Sequence, residues 1–296
     1  MSFRSDIRHQ WLYGTAIMKI LMVNVAIFLL QIVALIVARI FGQEDAYLNW
    51  ISRWFYASTD IGELLRRPWT IFTYMFMHDL EDIFHIISNM LYLFFFGRIF
   101  SDIMQQKMAY PLYLLGGVAG LLVELIVLNI IPDYRDSIGS LTVGASAAVM
   151  AIVLATATLQ PDYSVHLILI GPVKLKYIAA FVVIIDLISI SAEQNLGGHL
   201  AHVGGALTGF LYIRSYRRSG NWFSWWPRFE QKVHAITHPK KTRVAYVNPN
   251  MHTTHKSSAA EEQEKLNAIL DKIKASGYDS LSKAEKAFLF TISNKK

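Results

Sequence analysis

Six apolar runs, each near the length that crosses a bilayer, restrict this chain to a helical membrane fold. The hydrocarbon core takes about 20 residues of helix to span. Backbone in lipid must satisfy its polar groups internally, which leaves only helices or closed barrels. The runs cover roughly 17–40, 83–104, 109–130, 144–160, 176–192 and 198–214. The expected fold class is therefore all-α, a polytopic membrane bundle of six transmembrane helices. The first run, broken only by Lys19, Asn24, Gln31 and Arg39, is longer than a signal-peptide core and lacks a small-residue cleavage site. It is expected to stay as a helix.

An even helix count puts both termini on one side. Arg4 and Arg8, Lys107, Lys174 with Lys176, and Arg214, Arg217 and Arg218 all fall on that side. The positive-inside rule makes it cytoplasmic. The net charge of +6 lies largely in these loops and in the tail. It reads as topology and attraction to the lipid bilayer, not as a nucleic-acid surface. There is no cysteine, so a disulfide framework, thiolate chemistry and cysteine-ligated metal are excluded.

Three regions follow: a membrane domain over 1–218, an aromatic and basic cytoplasmic linker over 219–258, and a small helical hairpin over 259–296. The linker opens with NWFSWWPRF, an interfacial aromatic anchor, and carries His234, His238, His252 and His255 without ligand spacing, so no metal is expected there. In the hairpin, Leu266, Ile269, Leu270 and Ile273 fall at helical spacing. Gly277 interrupts it, and Ser282 with Glu285 forms a capping box for a second helix.

Three of the six apolar segments carry polar groups near one end: His85 and Asn89, Ser146, and His199 with His202. An unpaired polar group in hydrocarbon costs several kcal/mol, so such residues are functional candidates. With the N-terminus inside, the second, fourth and sixth helices all run inward from the outer face. At about 1.5 Å of rise per residue their polar groups lie within roughly 10 Å of the outer end. Small residues at intervals of four, Ala147, Ala151 and Ala155 on one helix and Ala201, Gly205 and Gly209 on another, allow close approach. Packing these stripes together would bring Ser146 and His202 within reach.

A serine hydroxyl becomes a nucleophile when a neighbouring imidazole takes its proton. The oxyanion needs donors, and the Ser146 N–H, the Asn89 amide and His85 are available. Glu124 and Asp186 sit mid-helix, deeper than the site, and are read as structural hydrogen-bonding groups. No carboxylate is therefore expected beside the base.

At these residues the chain closely resembles the rhomboid intramembrane serine proteases over roughly 15–215. The HxxxN pair is His85 and Asn89, the GxSx motif is Gly144 to Ala147, and AHxxG begins at Ala201. Each is weak alone, and the three in order are specific. The resemblance implies Ser146 as nucleophile, His202 as base, and an oxyanion hole from His85, Asn89 and the Ser146 amide, with no cofactor and no metal. His199 is the rival base, placed nearer the mouth of the site. His78 matches a histidine near the family's water-accessible mouth. Three residues depart from the pattern: Ala147 stands where glycine is usual, Met150 where an aromatic ring often meets the base, and Thr70 follows Trp69 where arginine is common. The hairpin resembles appendages of some bacterial members, so the implied location is a bacterial inner membrane with both termini cytoplasmic.

The implied activity is cleavage of single-pass membrane proteins in or near their transmembrane helices. A silent relative that escorts membrane helices would lack the serine or the base, and both are present. A transporter would show inverted repeats or paired broken helices. A metalloprotease would need an HExxH-type ligand set.

Overall fold

The computed structural model describes residues 3–167, 170–191, 195–220, 222–237 and 255–293. Six helices occupy the expected runs: α1 (Ala16–Ile40), α2 (Ile83–Ile103), α3 (Ala109–Ile130), α4 (Ser146–Leu159), α5 (Leu175–Ser191) and α6 (Leu196–Ser219). The chain is an all-α polytopic membrane protein. Leu29, Leu30, Val33 and Ile36 on α1, Phe84, Ile87 and Leu91 on α2, and Phe181, Ile184 and Ile188 on α5 are all exposed. Contiguous apolar surface of that extent is what lipid-facing helices present.

Local chemistry sets where the helices start. The Thr15 hydroxyl accepts from the Met18 N–H at 3.2 Å to cap α1. The Asp82 carboxylate accepts from the N–H groups of Phe84 and His85 at 3.0 and 3.3 Å, opening α2 immediately before its histidine. α4 is 14 residues long and starts at Ser146, two residues later than the sequence suggests. Gly144 has φ +125°, a left-handed conformation that cannot belong to the helix.

At about 21 Å, α4 is too short for a bilayer, but Ala147 to Val153 are all buried. It packs against α2, α3 and α6 rather than lipid. Small residues permit this. A Cβ on Gly205 of α6 would stand 2.0 Å from the Ala147 carbonyl oxygen, and one on Gly209 would stand 2.1 Å from that of Ala151. From α3, a Cβ on Gly116 would meet the Ala151 Cβ at 2.3 Å, and one on Gly120 the Ala147 Cβ at 2.6 Å. The two stripes read from the sequence do meet, and α3 adds a third that the sequence reading did not weigh. Asn24 of α1 donates to the Tyr113 hydroxyl at 3.2 Å, and that hydroxyl donates to the Met75 carbonyl at 2.8 Å, so these intramembrane polar groups are paired.

Outside the helices, a two-residue ladder joins β1 (Ala57–Ser58) to β2 (Leu141–Thr142), with Ala57 opposite Thr142. It ties the long segment after α1 to the chain just before the nucleophile candidate. Between α4 and α5 a hairpin pairs β3 (Ser164–Leu167) with β4 (Gly171–Lys174), and the Arg217 guanidinium donates to the Leu159 carbonyl at 2.9 Å at the C-terminal end of α4.

Contacts divide the chain into units Met1–His234 and Ala235–Lys296. The stretch expected as a linker contains a helix, α7 (Trp226–Thr237), and Phe223 just before it is buried, its ring 5.0 Å from that of Tyr212. Residues 238–254, with His238 and His252, lie outside the described residues. In the second unit, α8 (His255–Ser276) and α9 (Lys283–Ser293) are joined through the capping box. The Ser282 N–H donates to the Glu285 carboxylate at 2.7 Å, and Lys272 donates to the same group at 3.0 Å.

These bonds, the Ser282 backbone first, hold Glu285 down to about 2 from its usual 4.5. A carboxylate depressed on folding contributes stability above its unfolded value, and that contribution is lost as pH falls through the folded one. Amide exchange in α9 of the full chain is therefore expected to quicken, beyond its intrinsic pH trend, between about pH 4.5 and about pH 2. Glu285→Gln should show that faster exchange already at neutral pH. Equal protection in both proteins would remove Glu285 from the account.

Candidate active site

Ser146 is the first residue of α4, half-buried, with its N–H among those a helix leaves without an intrahelical partner. It is not the capping residue; that position is Ala145, which makes no side-chain cap. Ser146 lines a cavity of ≈ 820 Å³ together with His85, Asn89, Met150, Asp186 and His202. The cavity wall therefore draws on α2, α4, α5 and α6.

On α2, the His85 ring lies against Gly144. A Cβ there would stand 2.7 Å from His85 Cε1 and 2.9 Å from Nε2. Gly144 thus serves twice, through its backbone conformation and through the room it leaves the imidazole beside Ser146. Asn89, one turn on, is buried and donates to the His85 carbonyl at 2.8 Å. That uses one of its two amide hydrogens.

His78 and His199 do not line this cavity. Instead of standing at a water-accessible mouth, His78 is fully buried, its ring 5.7 Å from that of His85 and 6.2 Å from that of Phe28. Burial, with His85 nearby, pulls its imidazole down to about 4, so it is neutral at ordinary pH.

On α6, the His202 Nδ1 lies 2.9 Å from Asp186 Oδ1, and the His199 Nδ1 lies 2.7 Å from the same oxygen. This corrects the expectation that no carboxylate stands beside the base. Asp186 is five residues from the end of α5, and His202 is six from the start of α6. At about 1.5 Å per residue, those offsets put both at nearly one level. α5 runs opposite to α6, so a residue late in one meets a residue early in the other.

Glu124 of α3 is buried and accepts from the Thr142 hydroxyl at 2.7 Å, tying α3 to β2, in keeping with a structural role. Among the described residues no hydrogen bond joins Ser146 and His202; they face the same cavity. Hydrogen bonds between a catalytic hydroxyl and its base are often long in ligand-free structures and tighten in the substrate complex.

Asp186, His199 and His202 also offer one ligand atom each, all within 4.8 Å of one another, a third ligand that the sequence reading did not find. A tetrahedral zinc site with bonds of about 2.0–2.1 Å sets its ligand atoms about 3.3 Å apart. The 2.7 and 2.9 Å separations here are hydrogen-bond distances. The cluster reads as a hydrogen-bonded triad rather than an ion cage.

Comparison with known proteins decides the family. The sequence model described as Rhomboid domain matches residues 65–219, more than half of the chain. The chain belongs to the rhomboid family. Residues 255–295 match a second family, described as one of unknown function. Among curated relatives, the chain is 33% identical over 147 residues to RHOMBOID-like protein 12, mitochondrial, of Arabidopsis thaliana, covering 46% of this chain and 43% of that one. It is 26% identical over 135 residues to Presenilin-associated rhomboid-like protein A, mitochondrial, of Danio rerio, covering 44% of this chain and 33% of that one. The alignments thus span less than half of either relative. The rhomboid domain contains all the cavity residues named above, since His85, Asn89, Ser146, Met150, Asp186 and His202 fall inside the matched range.

Proposed function

We propose that this rhomboid protein is an intramembrane serine endopeptidase that hydrolyses peptide bonds in or near the transmembrane helices of single-pass membrane proteins. The observation that carries the reading is the one cavity lined by Ser146, His202, His85 and Asn89 and not by His199. That favours His202 over its neighbour as the base.

In the proposed reaction the Ser146 oxygen attacks the scissile carbonyl while His202 Nε2 takes the hydroxyl proton. The C–N bond then breaks as the imidazolium returns that proton to the leaving amine. The oxyanion is held by the Ser146 N–H, whose helix N-terminus favours negative charge, with the His85 ring and the Asn89 amide beside it. Water then attacks the acyl-serine while His202 takes its proton; the acyl C–O bond to Ser146 breaks, the imidazolium returns the proton to the serine oxygen, and the acid leaves. The partners are the membrane substrate and the bilayer, and no step needs a cofactor or a metal.

For domains, we take 1–218 as the protease domain and 259–296 as a cytoplasmic appendage. For location, the basic loops support cytoplasmic termini in a bacterial inner membrane. The two relatives named mitochondrial favour an organelle membrane as the second assignment.

The test is incubation of the purified protein in liposomes with single-pass reporters and with a fluorophosphonate. Reporter cleavage, with the phosphonate adduct mapped to Ser146, is expected. Binding of reporters with neither cleavage nor adduct would replace this reading with that of a helix-escorting protein.

A further inference from the structure

We infer that Asp186 fixes the tautomer and orientation of His202, making the site a chain of Ser146, His202 and Asp186 in which His199 steadies the carboxylate. The inference deepens the proposed proteolytic reading and, for its effect on turnover, rests on it.

Asp186 Oδ1 receives two contacts, from His202 Nδ1 at 2.9 Å and from His199 Nδ1 at 2.7 Å. A carboxylate oxygen only accepts hydrogen bonds. Each neutral imidazole facing it must therefore carry its proton on Nδ1, leaving the lone pair on Nε2. For His202, which shares the cavity with Ser146, this is the form able to take the hydroxyl proton. The opposite tautomer places N–H where the base must accept, and an unguided imidazole populates both. Without Asp186 a fraction of His202 would be in the wrong form, and its ring would be free to turn.

The surroundings make the carboxylate suited to this. Asp186 is 5% exposed, and its Oδ2 has no partner among the described residues. Its compensation for burial comes from the two imidazoles. Charge on His202 during proton transfer would meet a fixed anion in a site of low dielectric, where such an interaction outweighs its value in water. The two histidines are three residues apart on α6, hence on one face. His199, outside the cavity, holds the same oxygen, so the carboxylate cannot swing away without breaking two hydrogen bonds. Asp186 and His199 are positioning residues, since neither need touch the substrate.

The experiment joins two readouts. In full-length protein with 15N-labelled histidine in bicelles, His202 is expected to show the Nδ1–H tautomer, and Asp186→Ala to show a mixture or the Nε2–H form. With a single-pass reporter, Asp186→Ala is expected to lower kcat by about 10²–10⁴-fold, the range for a general acid–base group, while KM changes little. Asp186→Asn keeps the volume and one accepting oxygen without the charge, and should fall between the two. Thermal unfolding checks that each variant is folded, and Asp186→Asn serves should Asp186→Ala fail to fold. A His202 tautomer indifferent to residue 186, or a kcat for folded Asp186→Ala within about threefold of wild type, overturns the inference even if the protein is a protease. If wild type cleaves no reporter but its Nδ1–H form vanishes in Asp186→Ala, the orienting role stands and the proteolytic reading fails.

Discussion

Ser146→Ala is expected to give a folded protein whose cleavage of single-pass reporters falls to background, a loss on the order of 10⁴–10⁶-fold, as when serine hydrolases lose the nucleophile. The size follows from the chemistry. In the proposed reaction the Ser146 oxygen forms the acyl bond, and without it the remaining donors could only assist direct attack by water. Other hydroxyls line the cavity, among them Ser88 and Ser140, but only Ser146 begins a helix beside His85 and shares the cavity with His202. The fold should barely notice. Ser146 is not the cap of α4, its side chain makes no hydrogen bond among the described residues, and alanine is a good helix former. Reporter cleavage together with thermal unfolding in detergent checks both halves. Cleavage persisting at a tenth of wild type would move the nucleophile elsewhere.

Gly205→Val is expected to destroy the membrane domain instead. Even the first added carbon would stand 2.0 Å from the Ala147 carbonyl oxygen and 2.8 Å from its carbon. Both are backbone atoms inside α4, which cannot turn aside as a flexible side chain does. One turn further, Gly209 lies equally close to Ala151, so the helices cannot pivot about the lower contact. Relief requires α4 and α6 to separate, opening a seam that α3 also shares. Losses above about 4 kcal/mol belong to such overpacking at a fixed backbone, and the domain has little margin beyond that. Denaturant titration of the purified variant should give either no folded baseline or a midpoint far below wild type. A shift worth less than about 1 kcal/mol would mean that the seam is looser than the contacts indicate.

How far the molecule can be read from its sequence depends on which dimension is asked about. Depth along the membrane normal is nearly one-dimensional, so apolar runs and residue offsets place His85, Asn89, Ser146 and His202 at one level. Lateral neighbours follow only where the sequence marks the contact, as the fourfold stripes of α4 and α6 do. Asp186 escaped because its depth was judged as mid-helix without counting from the end of α5, where five residues bring it level with His202. His78 escaped for a different reason. A histidine in an external segment reads as wet, yet this one is enclosed between the rings of Phe28 and His85. Gly116 and Gly120 were visible in the α3 run, but small residues in a lipid-compatible helix carry no label naming their partner.

The length of α4 has one more consequence. A helix of 14 residues reaches about 21 Å, while the hydrocarbon layer is about 30 Å thick. The helix is thus about 9 Å shorter than that layer, and Arg217 donates to the Leu159 carbonyl at its C-terminal end. The cavity lined by Ser146 opens at the N-terminal end of this short helix. The length of α4 is therefore bound to the site: one turn more or less would carry Ser146 about 5 Å out of level with His85 and His202, which stand on other helices.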